Sequence, residues 1–210
     1  ITGSPENLPI GWKLINGYLV GPGANLTNAN LSGANLTDAN LTDATLSNAE
    51  LSGANLRGAT LTKAYLFDAT LSYADFTNAT LSEADLSGAD LFGADLTGVI
   101  SDNITGSPIN LPTGWKLING YLVGPGANLS GAYLYGADLG GATLTNATLS
   151  GVISGNITGS PENLPTCWKL INGYLVGPGA NLTDATLSDA TLTNANLGGA
   201  DLSDADLCWA

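Results

Sequence analysis

Residues 24–43 read ANLTNANLSGANLTDANLTD, four successive units of the form Ala-x-Leu-x-x. Leu26 opens a row of central residues that recurs at every fifth position to Leu96, with Phe76 as the only substitution. A second row runs from Leu129 to Leu149 and a third from Leu182 to Leu207, giving 15, 5 and 6 units. A period this strict marks a repeat architecture in which each unit stacks on its neighbours. Five residues are too short for a helical pattern and too regular for loops. On an extended segment the first and third residues point the same way, so Ala and Leu face a common interior. The residue between them and the last two face solvent.

The beat is interrupted by near-copies of one insert. It reads ITGSPENLPIGWKLINGYLVGPGANL at 1–26 and returns at 104–129 and 157–182, with three of its 26 positions varying. The sequence therefore divides into three modules: 1–103 (insert 1–23, stack 24–98), 104–156 (insert 104–126, stack 127–151) and 157–210 (insert 157–179, stack 180–210). Inside the insert, Asn16-Gly17 between runs of β-formers predicts a hairpin with a type I′ turn. A two-residue loop pairs Ile15 with Tyr18 and Leu14 with Leu19. Pleat alternation then places Trp12, Leu14 and Leu19 on one apolar face, expected to pack on a neighbouring stack and cover it. Trp115, Tyr121, Trp168 and Tyr174 are the equivalents in the later copies. With Trp209 in the last unit, they are the candidate cap and interface residues.

Composition narrows the function. Eighteen acidic and five basic residues give a net charge of −13. Phosphate contacts need Lys and Arg, so direct nucleic-acid binding is not expected. No stretch approaches the ~20 apolar residues of a membrane-spanning helix. There is no His, which removes His-based triads and proton shuttles. The glycines fall in turns or at the fifth repeat position, not in a phosphate loop. No enzyme, cofactor, metal or small-molecule site is expected. The start at Ile1, without Met, on the first residue of the insert suggests a processed or partial chain.

Two cysteines stand apart. Cys167 replaces the glycine present at Gly11 and Gly114, and Cys208 lies in the terminal unit, so both belong to the third module. Their joint appearance suggests either a disulfide stapling the last stack, in an oxidising compartment, or two unrelated buried thiols.

Runs such as ANLTN-ANLSG-ANLTD-ANLTD resemble the pentapeptide-repeat family, whose consensus is Ala-(Asp/Asn)-Leu-x-x. The resemblance covers the three tracts. It implies an all-β fold, a right-handed quadrilateral β-helix (a solenoid) with four pentapeptides to a coil, here segmented by the hairpin inserts. Residues 20 apart then stack at the ~4.8 Å strand spacing. Phe76 joins Leu36, Leu56 and Leu96, and Asp75 lies beneath Asp95. Asn40, Thr42, Thr60, Thr62, Thr80 and Ser82 form a flat hydroxyl-rich side.

Three functions compete. A structural protein of the cell surface or exterior would self-associate, its open ladder ends joining head to tail into a filament. Acidity together with the family resemblance suggests a DNA mimic of the topoisomerase-protecting type. The Thr/Ser side suggests binding to ice or a crystal surface.

Overall fold

The computed structural model describes residues 7–210; the chain divides into two compact units, Ile1–Thr113 and Gly114–Ala210. The described residues contain no helix. Each pentapeptide makes one straight segment and one corner. At the corner the Ala N–H closes a turn onto the Leu carbonyl three residues back, as Ala29 does onto Leu26 at 2.9 Å. The fifth residue takes a positive φ, and it is an Asn, Asp or Gly at most corners: Asn28 sits at 58°, Asp38 at 53° and Gly33 at 64°. Those residues occupy the left-handed region at least cost.

The second residue has its own task. Asn25 Oδ1 accepts the Thr27 N–H at 3.1 Å, an Asx turn that leads the chain into the corner. The same bond recurs at Asn30, Asn35, Asn40 and Asp75. Thus Ala and Leu fill the interior while the two small polar positions bend the chain. Every interior Leu from Leu31 to Leu91 is fully buried, as is Phe76.

Coils are joined by parallel bridges between residues 20 apart. Asn25 pairs with Thr45, Asn30 with Glu50, Asn35 with Asn55 and Asn40 with Thr60, so each coil carries four ladders. The chain is knit by bonds such as Leu26 N–H to the Thr45 carbonyl (2.7 Å) and Thr45 N–H to the Ala24 carbonyl (2.9 Å). In the first unit these ladders run on into the second insert, where Asp85 pairs with Thr105 and Asp90 with Asn110.

Three two-stranded sheets stand out from this pattern. β1 (Lys13–Ile15) pairs with β2 (Tyr18–Val20), β3 (Lys116–Ile118) with β4 (Tyr121–Val123), and β5 (Lys169–Ile171) with β6 (Tyr174–Val176). In each the register is antiparallel, with Leu14 opposite Leu19 and Ile15 opposite Tyr18 in the first. The turn residue Asn16 takes φ 50° and Gly17 takes φ 81°, as a type I′ turn requires.

Within the second unit the ladder does not stop at the third insert. Asp138 pairs with Thr158 and Thr143 with Asn163, so residues 157–163 belong to the coil. The ladder Tyr133–Ile153–Asn181–Asp201 continues past the hairpin. Ile153 and Asn181 are 28 residues apart rather than 20, so this coil carries eight extra residues, the hairpin itself.

Candidate interaction surfaces

The hairpins are the part of the molecule that departs from the repeat, and each binds its own stack by the same contacts. The Lys13 ammonium donates to the Thr37 carbonyl at 2.8 Å, and Lys169 to the Thr193 carbonyl at 2.6 Å. Lys116 makes the matching bond to Gly140. The phenolic oxygens of Tyr18, Tyr121 and Tyr174 accept the backbone N–H groups of Asn30, Tyr133 and Thr186. Each tryptophan lies across a glycine of its own insert. A Cβ on Gly21, Gly124 or Gly177 would overlap the ring of Trp12, Trp115 or Trp168.

The third hairpin shows both of its faces in use. Leu170 and Leu175 pack on the core of the 127–152 stack, while Ile171 and Tyr174 pack on the core that begins at Val176. Trp168 touches both cores, so it straddles the hairpin rather than belonging to its Leu face. Room for the hairpin comes from the coil beneath. At the positions where a Leu would point inward stand Ser154, which is buried, and Gly159. The Ser154 hydroxyl accepts the Leu175 N–H at 2.9 Å, so the strand entering the interior leaves no orphan donor there. The sequence signal was a Ser in a Leu register.

At the first hairpin the corresponding face is open. Leu19 is 36% exposed, whereas Leu175 is 0% exposed. A shallow cleft of about 460 Å³ lies there, lined by Trp12, Tyr18, Leu19 and Leu26 among others. The coil that ends the second unit is open as well. Leu192, Leu197 and Leu202 are half-buried, Leu207 is 38% exposed and Trp209 is 91% exposed.

Pentapeptide repeats match this chain in eight copies, over residues 24–62, 59–98, 125–152 and 179–210, well over half of its length. The chain belongs to the pentapeptide repeat family. Solved relatives include alr5209 from Nostoc PCC 7120, 38% identical over 46% of this chain and 76% of that one, with a TM-score of 0.41. HetL, from Nostoc sp. strain PCC 7120 and involved in heterocyst differentiation regulation, is 27% identical over 88% and 87% of the two chains, with a TM-score of 0.26. The plasmid-mediated fluoroquinolone resistance protein QnrB1 is 17% identical over 87% and 76%, with a TM-score of 0.35. No curated protein matches the chain.

As a pentapeptide repeat protein it is read best ladder by ladder. Thr60 and Thr80 do stack, but the ladder runs Asn40–Thr60–Thr80–Ile100, so two hydroxyl levels lie between an amide and an aliphatic side chain. Asp75 pairs with Asp95 as spaced, yet its carboxylate is already engaged. It accepts from the Thr77 hydroxyl at 2.6 Å and from the Arg57 guanidinium at 3.2 Å. Burial alone would raise its pKa; the hydrogen bonds of Thr77 and the charge of Arg57 outweigh that and hold it below the usual carboxylate value. No group of His, Cys, Asp and Glu among the described residues could hold a metal ion. No helix among them is long and apolar enough to cross a membrane.

Cys167 and Cys208 are free thiols, and both are exposed rather than buried. The coil count explains why they do not pair. Asn163, just before Cys167, lies in the coil that starts at Ile153; Asn181 opens the next coil and Asp201 the one after. Two coils put about 10 Å between the cysteines along the stack, beyond the ~7 Å Cα separation that a disulfide tolerates.

One surface carried no signal in the periodicity. Tyr133 and Tyr135 flank the inward Leu134 and are 54% and 48% exposed. Their ring centroids lie 6.2 Å apart at 23°. Ile153, 37% exposed, sits on the next level of the Tyr133 ladder. Aromatic residues at the second and fourth positions of one unit were the available clue.

Proposed function

We propose that this chain is a non-catalytic interaction scaffold, placed at the cell surface or exterior, that associates with further copies of itself head to tail through hairpin and coil ends. The observation that supports it is the two-sided hairpin. The third copy has its Leu170/Leu175 face seated on a stack core, and the near-identical first copy leaves Leu19 open. A half-exposed leucine layer at 192–207 is the complementary surface. Within this reading the β-helix is four-sided, for which the four ladders per coil are the support, and right-handed as in the family it resembles.

Sedimentation velocity over a hundredfold concentration range tests the association, with negative-stain imaging of the concentrated protein. Growing end-to-end species that Leu19→Asp suppresses is the expected result. A monodisperse monomer throughout, with no elongated particles, overturns it.

A second reading is an acidic ligand for a protein that binds DNA. Asp85, Asp90 and Asp95 occupy three successive ladders of one coil, which supports it. The test is protection of DNA gyrase from a fluoroquinolone; no protection at saturating protein removes this reading.

A further inference from the structure

The Tyr133–Tyr135 surface lies in the second unit, beside residues of the second and third hairpins. The Tyr135 ring and the backbone beneath both tyrosines are held before any ligand arrives. Asn156 Nδ2 donates to the Tyr135 hydroxyl at 2.6 Å, and Asn119 Nδ2 donates to the Tyr135 carbonyl at 3.3 Å. The Tyr121 phenol holds the Tyr133 N–H at 3.1 Å. Tyr135 leans along the stack over Gly155, the residue one level on, and a Cβ there would meet Tyr135 at 3.0 Å and Tyr174 at 3.1 Å. Gly155 therefore keeps the surface low between the two rings. A side chain held as Tyr135 is loses little freedom on binding.

Its chemistry points to a neutral partner. The chain carries −13, yet Tyr133, Tyr135, Ile153, Gly155 and Asn156 include no carboxylate and no cation. Along the ladder the next level is Asn181, and the first acid is Asp201. Amide groups rim the aromatic faces. Three exposed apolar side chains are too few for a stable protein interface, which takes about 20–30 residues a side. They suit a narrow ligand whose apolar faces alternate with a hydroxylated edge. The negative face of an aromatic ring attracts the positive C–H edges of such a molecule.

We propose that this surface binds a neutral, unbranched β-linked polysaccharide, with a sugar ring laid against the outer face of the stacked Tyr133–Tyr135 pair and its hydroxyls reaching the Asn156 and Asn119 amides. Equatorial hydroxyls leave both faces of such a sugar ring as C–H surface, so either face can lie on the outer face of the tyrosine pair.

The test uses the 210-residue chain against insoluble cellulose, insoluble chitin and a soluble β-glucan, by depletion from solution and by calorimetry. Binding to at least one polymer is expected, weakened about tenfold or more in Tyr133→Ala/Tyr135→Ala, as for truncation of anchoring aromatics. Tyr135→Phe should keep most of the affinity, and Tyr73→Ala, which alters the separate exposed pair with Phe92, should keep all of it. Both tyrosines point outward, and an unchanged circular dichroism spectrum confirms that the variants fold. Binding to none of the three polymers overturns the proposal. So does equal binding by the double variant. Concentration-dependent self-association that the double variant abolishes, without sugar binding, assigns the surface to a protein contact instead.

Discussion

The first and third hairpins differ at few residues, yet they lead different lives. Both pair Leu with Leu across the strands, both lay a tryptophan over a glycine, and both anchor a lysine and a tyrosine on their own stack. The third has a stack core against its second face and buries Leu175 completely; the first leaves Leu19 36% exposed. The difference teaches that burial of the hairpin is decided by its surroundings rather than by its own sequence. One face serves the stack that follows; the other is a socket whose filling depends on what lies beyond.

The largest effect should separate the two copies directly. Leu175→Ala should cost about 3 kcal/mol, since it opens a cavity in a closed core. Leu19→Ala should cost about 1 kcal/mol or less, because that side chain is partly hydrated already. Urea denaturation of the full chain compares them, and equal losses would break the contrast. Next, Gly177→Ala should cost about 2 kcal/mol by driving a methyl into the Trp168 ring. Gly21→Ala should cost a similar amount, because the tryptophan contact is internal to both hairpins.

Cys167→Gly restores the residue found at Gly11 and Gly114. Cys167 holds φ 71°, a left-handed backbone that a side chain disfavours, so this change should stabilise the third hairpin by about 1 kcal/mol. A rise in the thermal midpoint checks it.

The smallest effect lies away from both hairpins, where Arg57→Gln should raise the Asp75 pKa. A carboxylate with a depressed folded-state pKa adds stability above its unfolded value and loses it as pH falls through the folded value. The variant should therefore gain less from Asp75 and finish losing that contribution at a higher pH, with the folded-state value read from the Asp75 carboxyl signal by NMR, without altering the hairpin comparison.

Much of the stack was legible because Leu26 to Leu96 repeat without a gap and Asn16-Gly17 admits few conformations. The second and fifth positions were harder. Read as solvent-facing, they prove to be the bending elements, through Asn25-type Asx turns and positive-φ corners such as Asp38. The joint was least legible. That Ser154 would yield its interior place to a hairpin strand depends on contacts between residues 21 apart, which no local pattern reports. Whether the two cysteines could meet was hidden for the same reason. Cys167 and Cys208 share a module in sequence, but their separation is set by how many coils the ladder completes between them.

The ladder also sets direction. Asn128 and Asn181 occupy the same place in their inserts, yet Asn128 pairs with Thr148 while Asn181 pairs with Ile153, the next position round the coil. The tract between the second and third hairpins holds five units where a coil takes four, and the remainder turns the third hairpin one side further about the axis. A tract of four units would bring both hairpins to the same azimuth, and one of six would turn the later one by two sides. The number of pentapeptides between inserts is thus an angular setting, written in the gene as a count.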